Sequence, residues 1–139
     1  MPFVALDLDV DLVAAERKAG RPVFFGDASR REILERVGGA QARAFVVTTD
    51  EPAASERMIT AIRRAWPDAV IHARAKDGAH ARRLIGIGVP DAVPETLEGS
   101  LQLAGQVLAR IGLPDEAVDA RLAVARAAEI SRLAAARDG

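Results

Sequence analysis

The chain of 139 residues has the length of one domain, with half of its residues hydrophobic and 28% charged, as in a globular protein. A formal net charge of −1 provides no basic field that would attract nucleic acid or an anionic membrane. Cysteine is absent, which excludes disulfides, thiolate metal sites and cysteine nucleophiles. No apolar run is long enough to cross a bilayer, so we expect a cytoplasmic domain without direct membrane insertion.

Short apolar runs alternate with helical patterns over most of the chain. Strands are predicted at residues 3–6, 22–25, 44–48 and 69–73, and a proline-containing edge strand at residues 89–93. Helices are predicted between them at residues 12–19, 29–37, 52–66 and 77–85. Alternation of this kind is typical of the α/β class, here a Rossmann-like, mostly parallel sheet with helices on both faces.

Side chains that cap helices precede several of the predicted helices. Asp9 or Asp11 precedes the first helix, and Ser29 with Glu32 has the spacing of a capping box. Asp50 precedes the third helix in the same way, so we interpret it as a cap.

The last part of the chain is helical. Leu97, Leu101 and Leu108 recur at helical spacing up to a Gly-Leu-Pro break at residues 112–114, after which a second helix begins. We therefore divide the chain into a Rossmann-like domain, residues 1–112, and a C-terminal helical arm, residues 113–139.

Polar residues follow the predicted strands at the edge where ligands bind in parallel sheets. Asp7 follows the first strand, where a carboxylate suits the hydroxyls of a ribose, and a solvated strand end is the alternative. Asp27 and Ala28 follow the second strand and offer an acceptor and an amide to an adenine ring. The alternative is an ordinary turn capped by Ser29.

The third and fourth strands end in further candidates. Thr48 and Thr49 carry hydroxyls that suit a phosphate or a ribose, beside Asp50. Arg74 follows the fourth strand and either meets an anionic ligand or pairs with Glu95 on the surface.

Other polar residues receive structural interpretations. His72 and His80 stand apart from other potential ligands, so neither a metal site nor a catalytic triad is predicted, and His72 is interpreted as a satisfied structural residue. Arg63 and Arg64 are interpreted as part of a solvated helix face. No Gly-x-Gly-x-x-Gly sequence follows the first strand, which therefore behaves like the second strand of a dinucleotide fold.

Four stretches, in order and spacing, resemble the amino-terminal half of an RCK domain, also called KTN or TrkA-N. They are VALDLD at residues 4–9, VFFGDASR at 23–30, IHARAKD at 71–77 and PETLEG at 94–99. Within that family the chain most resembles the cytosolic domains of Kef-type, glutathione-gated potassium efflux systems, and the likeness covers residues 3–112.

The resemblance implies roles for the candidate residues. Asp7 would bind the adenosine ribose, and Asp27 with Ala28 would bind the adenine. Thr48, Thr49 and Asp50 would lie near the phosphates or the second nucleoside, and the resemblance places Arg74 and Glu95 near the cleft and the subunit interface.

The same resemblance implies NAD(H) or AMP as the ligand and a homodimer whose helical arms cross. A membrane potassium transporter is the implied partner, at the inner face of the membrane, and no enzymatic activity is expected. Two alternatives remain: a fragment of an NAD-dependent oxidoreductase, and an oligomerising module with a vestigial nucleotide site.

The chain departs from the family pattern because the first strand and the glycine-rich loop are missing. That strand is central in the usual order, so its neighbours must pair directly or accept a strand from another chain or partner. Loss of the loop removes phosphate binding at a helix N-terminus, so we expect weak nucleotide affinity.

Overall fold

The computed structural model describes residues 1–138, which form parallel strands flanked by helices. The strands are β1 (Ala5–Asp7), β2 (Val23–Phe25), β3 (Phe45–Val47), β4 (Ile71–Ala75) and β5 (Val93–Pro94). The helices are α1 (Val10–Lys18), α2 (Arg31–Arg36), α3 (Pro52–Ala65), α4 (Gly78–Gly86), α5 (Glu95–Arg110) and α6 (Asp115–Asp138), with a 3₁₀ turn at Gly39–Gln41. The predicted α/β class is confirmed.

The strands form two parallel sheets. In the first, β1 pairs with β2, with Asp7 opposite Phe25. In the second, β4 lies between β3 and β5, with Val46 opposite His72. Within residues 1–138 no hydrogen-bonded ladder joins β1 to β3, so the neighbours on either side of the predicted break do not pair directly.

A shared core holds the two sheets together. Its centre is fully buried and includes Ile59 of α3 and Leu84 of α4. Leu34 of α2 belongs to the same cluster, and Leu6 of β1 packs against it, so apolar packing links β1 to the second sheet although no ladder does.

The fifth strand lies later in the chain than predicted. Residues 89–93 were expected to form it, but the strand is Val93–Pro94. Gly88 has a φ of +102°, and the Val89 amide donates to the Leu84 carbonyl at 3.0 Å, which closes the end of α4. Val89 is fully buried, so its apolar character reflects a core loop rather than a strand.

The last helix lies against its own chain. Leu133 of α6 belongs to the core, and Arg126 donates twice to Glu98 of α5, both at 2.9 Å. These bonds lower the pKa of the Glu98 carboxyl. The crossing of this arm to a second subunit stays a prediction.

Arg63 holds two loops together, so its interpretation as part of a solvated face is wrong. Its Nη1 atom donates to the carbonyls of Pro67 and Ala69 at 2.6 and 2.8 Å, and Nη2 donates to the Gly88 carbonyl at 2.6 Å. The loops before β4 and β5 are thereby tied to the end of α3.

Replacing Arg63 with Ala is expected to lower the free energy of unfolding by about 2 kcal/mol or more, because three carbonyls lose a charged donor. Arg64→Ala, at the exposed neighbouring position, is expected to change it by less than about 0.5 kcal/mol. Urea denaturation measures both, and equal effects of the two variants would contradict the role of Arg63.

Candidate functional site

Asp7 and Asp27 follow adjacent parallel strands at the same edge. Asp7 is the last residue of β1, and its carbonyl accepts a hydrogen bond from the Gly26 amide at 3.1 Å. Asp27 is the next residue after Gly26. The structure therefore brings the two carboxylates to one edge of the sheet, as the sequence predicted.

The carboxylate of Asp7 organises the turn that leaves β1. Its Oδ1 atom accepts from the Asp9 amide at 2.8 Å, and Asp9 in turn accepts from the Leu12 amide at 3.0 Å. Of the two predicted candidates, Asp9 is therefore the cap of α1, and Asp11 lies in its first turn. Asp7 is half-buried and does not cap the helix itself.

Asp27 is held in its ionised form by the turn that follows it. Its Oδ1 atom accepts from the Ser29 hydroxyl at 2.6 Å and from the Ser29 amide at 2.9 Å. These two bonds lower the pKa of the Asp27 carboxyl, and the charges of Arg30 and Arg57 add to the effect, while burial opposes it. The site therefore presents an anionic acceptor.

The predicted capping box is wrong because Asp27 takes the Ser29 hydroxyl. Helix α2 begins at Arg31, and Arg30 occupies the cap position without a side-chain hydrogen bond to the helix. Glu32 lies 4.0 Å from the Arg30 guanidinium instead of reaching a cap residue. Ser29 thus stabilises the Asp27 carboxylate and does not cap α2.

Gly26 is required by internal packing. A Cβ atom on this residue would lie 2.8 Å from Cγ2 of Ile33 and 3.4 Å from Cδ2 of Leu6. The backbone of this turn therefore sits close to the core, which fixes the position of Asp27.

Arg74 of β4 links the residues that follow β3 to the first residue of α5. Its Nη2 atom donates to Oδ1 of Asp50 and to the Thr48 carbonyl, both at 2.5 Å, and its Nε atom lies 3.8 Å from Glu95. The interpretation of Asp50 as a helix cap is therefore wrong: Glu51 occupies the cap position, without a side-chain bond. These charges are exposed, so the pairs add little to stability.

Helix α3 connects the two sets of strand ends. It begins just after Thr49 and Asp50, and its residue Arg57 lies near enough to Asp27 to lower the pKa of that carboxyl. Ser29, Arg57 and Arg64 line an open groove of about 540 Å³ along this helix. Sequence reasoning missed Arg57, because only the folded chain brings it to the second strand end.

The two histidines lie in different environments. His72 is exposed on β4, so its interpretation as a satisfied structural residue is wrong. His80 is fully buried: Nδ1 accepts from the Lys76 amide at 2.9 Å, which leaves Nε2 to donate to the Ser55 hydroxyl at 3.0 Å. Ser55 donates to the Pro52 carbonyl at 2.8 Å, so this chain of bonds ties the end of β4 to the start of α3.

Metal-ligand clusters and membrane-spanning helices are two further features of interest. No group of three or more potential metal-ligating side chains comes together in the part of the chain that the structure describes. Among its helices, none combines the length and the apolar character needed to span a membrane.

Parallel strands connected by helices that pack against them define a Rossmann-like α/β domain. Residues 1–95 match the sequence model of the TrkA-N domain, and the chain belongs to that family.

Similar proteins include potassium efflux proteins. K(+) efflux antiporter 2, chloroplastic, of Arabidopsis thaliana is 40% identical over 134 residues, which is 96% of this chain and 11% of that protein. The glutathione-regulated potassium-efflux system protein KefC of Cronobacter sakazakii is 36% identical over 111 residues, 80% of this chain and 18% of that protein. The chain thus spans only a small part of these relatives.

A solved structure shares the fold. The Shewanella denitrificans Kef CTD in its AMP-bound form superposes with a TM-score of 0.80 at 20% identity, over 97% of this chain and 96% of that one. The likeness supports the Rossmann-like architecture.

Replacing Ser29 with Ala is expected to raise the pKa of Asp27 towards its ordinary value, because the hydroxyl is the largest cause of the lowering. A lowered folded-state pKa stabilises the fold above about pH 4, and this contribution is lost as the pH falls through the folded value. The variant should lose part of it. NMR titration of the Asp27 carboxyl measures the shift, with exposed Ser100→Ala as the control. An unchanged Asp27 pKa would contradict the assignment.

Proposed function

We propose that the chain is a regulatory, ligand-sensing domain of a potassium efflux system, which binds an adenine nucleotide such as AMP or NAD(H) and performs no catalysis. Membership of the TrkA-N family and the names of the similar proteins support the transport role. Its partner is then a membrane potassium transporter, and the domain acts at the cytoplasmic face of that membrane.

The convergence of Asp7 and Asp27 on one sheet edge carries the proposal. Asp7 accepts hydrogen bonds from the ribose hydroxyls, and Asp27 accepts one from the adenine amino group while the Ala28 amide donates to the ring. The Ser29 bonds that keep Asp27 ionised favour this acceptor role. The AMP-bound form of the Shewanella Kef CTD supports an adenosine as the ligand.

Arg74 supplies a route from the ligand to the helical arm. It is bound to Asp50 and lies close to Glu95, the first residue of α5. A nucleotide phosphate near Thr48 and Thr49 competes with these carboxylates for the guanidinium. Ligand binding thereby changes the ionic contacts through which Arg74 links the end of β3 to α5. The helical arm follows α5 along the chain.

Affinity for the nucleotide is expected to be weak. In the first sheet Asp7 leads into a turn capped by Asp9, and no glycine-rich loop presents a helix N-terminus to the phosphates there. Binding then depends on the adenosine contacts.

Titration of the labelled chain with AMP and with NADH, followed by NMR, tests the site. We expect dissociation constants above about 10 μM. Asp7→Ala and Asp27→Ala should each weaken binding by about tenfold or more, through loss of a charged acceptor. Asp68→Ala is the control, because Asp68 lies before β4 at the opposite edge. Low-micromolar binding would refute the weak affinity, and unaltered binding by both variants would refute the site.

A second candidate is an oligomerising module with a vestigial nucleotide site. Leu103 and Val107 of α5 and Ile111, the residue that caps its C-terminus, form a stripe at spacings of four residues, and each is at least half exposed. Such a stripe suits the homodimer implied by the family resemblance. No feature of residues 1–138 favours the third candidate, a fragment of an NAD-dependent oxidoreductase.

Replacing Val107 with Glu is expected to convert a dimer to a monomer, because a charge enters the middle of the α5 stripe. Gln106→Glu adds the same charge at the neighbouring exposed position and should leave the dimer intact. Light scattering after size-exclusion chromatography measures the mass. A dimer that persists in the Val107 variant would place the interface elsewhere.

A further inference from the structure

The open groove of about 540 Å³ runs along one face of α3. Most of its lining belongs to that helix, with Ser29 from the turn before α2 and Ile87 from the end of α4. The lining residues of α3 include five that recur at helical spacing, which are Ala53, Arg57, Thr60, Ala61 and Arg64. The buried residues of the helix, Ser55, Ile59 and Ile62, lie on its opposite face. The groove is therefore the solvent face of α3 and not a part of the core.

Two arginines give this groove its charge. Arg57 and Arg64 are seven residues apart on α3, which separates them by about 10 Å along the helix axis. Arg57 contacts the exposed Glu51 at 3.5 Å and lies near Asp27, and Arg64 forms no ion pair with the side chains that the structure describes. The acid in the lining, Glu56, already accepts from Nε of Arg83 at 2.9 Å. Both arginines can therefore pair with anions of a partner.

The surface between the two arginines is small and apolar. Ala61 lies there, and the Thr60 hydroxyl donates to the Glu56 carbonyl at 2.8 Å, so it needs no further partner in the groove. Ile87 adds an apolar side chain that is half-buried. Small side chains on the face of a helix allow a second helix to pack close to it.

A single small anion cannot use both arginines. One carboxylate or phosphate pairs side-on with one guanidinium, and the other guanidinium lies too far along the helix to share it. The occupant must therefore be long, with two anionic groups about 10 Å apart and apolar groups between them. A helix has this geometry when it carries acids seven positions apart and apolar residues between them on the same face.

We propose that the groove along α3 binds an acidic amphipathic helix of a partner protein, with one carboxylate on Arg57 and another on Arg64. Apolar side chains between the two acids pack on Ala61 and Ile87. The ion pairs are exposed, so they select the partner and speed its association more than they raise its affinity. Docking does not require a nucleotide, so this site and the nucleotide site can fail independently.

A designed peptide tests the groove in the full chain without nucleotide. The probe is a fluorescent helix of about sixteen residues, rich in Ala and Gln, with two Glu seven positions apart and Leu between them on the same face. Anisotropy titration at low salt is expected to give a dissociation constant of about 10–500 μM. Two control peptides, one with Gln for both Glu and one with the two Glu adjacent, should bind at least about threefold more weakly. Equal binding by either control, or no binding of the probe, overturns the proposal.

Charge reversal in the protein provides the matched comparison. Arg57→Glu and Arg64→Glu should each weaken probe binding by at least about threefold, because repulsion replaces attraction. Arg43→Glu makes the same change of net charge at an exposed residue outside the groove and should alter binding by less than about 1.5-fold. An effect of Arg43→Glu as large as the other two would show attraction to net charge alone and would refute the groove.

A swap of charges separates pairing from damage to the fold. The double variant of Arg57 and Arg64 should prefer a peptide with Lys in place of both Glu, by at least about threefold over the original probe. A double variant with Arg36→Glu and Arg43→Glu has the same net charge and should not show this preference. Absence of the swap in the first variant, or its presence in the second, is inconsistent with the proposed pairing.

NMR locates the contact. Addition of the probe should shift the amide resonances of Ser29, Thr60 and Ala61 and leave those of Leu103 and Val107 unchanged. Shifts confined to α5 would place the contact on the apolar stripe and contradict the proposal. Light scattering checks for a second copy in the groove: self-association that Arg64→Glu abolishes, without probe binding, would also overturn it.

Discussion

Parallel pairing of β1 with β2 is the interaction on which the candidate site depends. The Gly26 amide bonds to the Asp7 carbonyl, and this fixes the relative height of the two strand ends. That register places both residues at the same edge of the sheet, because Asp7 ends one strand and Asp27 follows the other. The Ser29 turn then lowers the pKa of Asp27, and the tight packing of Gly26 on Ile33 places the turn close to the core. Backbone geometry thus positions an acceptor pair before any ligand is present.

Patterns that depend on local sequence were predicted well. The order of strands and helices, the parallel class and the cap at Asp9 all follow from apolar runs and short-range polar spacing. The convergence of Asp7 and Asp27 also follows, because strand ends share an edge in any parallel sheet. Val89 shows the limit of this reasoning: a buried apolar residue in a loop has the same sequence signal as a strand residue.

The capping box at Ser29 failed for a local reason, because Asp27, two residues away, accepts the Ser29 hydroxyl. Other predictions failed because a distant partner competes with a local one. Arg74, which lies 24 residues from Asp50, binds the Asp50 carboxylate. Arg63 looks like any exposed helix residue until the Gly88 loop reaches it from 25 residues away. His80 bonds to Ser55 across the same sequence distance. Capping rules and helical periodicity cannot predict these distant partners, because each contact forms only when α3 and α4 pack around the second sheet.

The candidate site spans both sheets. Asp7 ends β1 and Thr48 follows β3, so the proposed ribose and phosphate positions lie on strands that no ladder joins within residues 1–138. Apolar packing through Leu6 and Val47 links these two strands instead. A nucleotide that contacts both positions is therefore expected to restrict the relative motion of the two sheets, and a more rigid pair of sheets is expected to bind it more tightly.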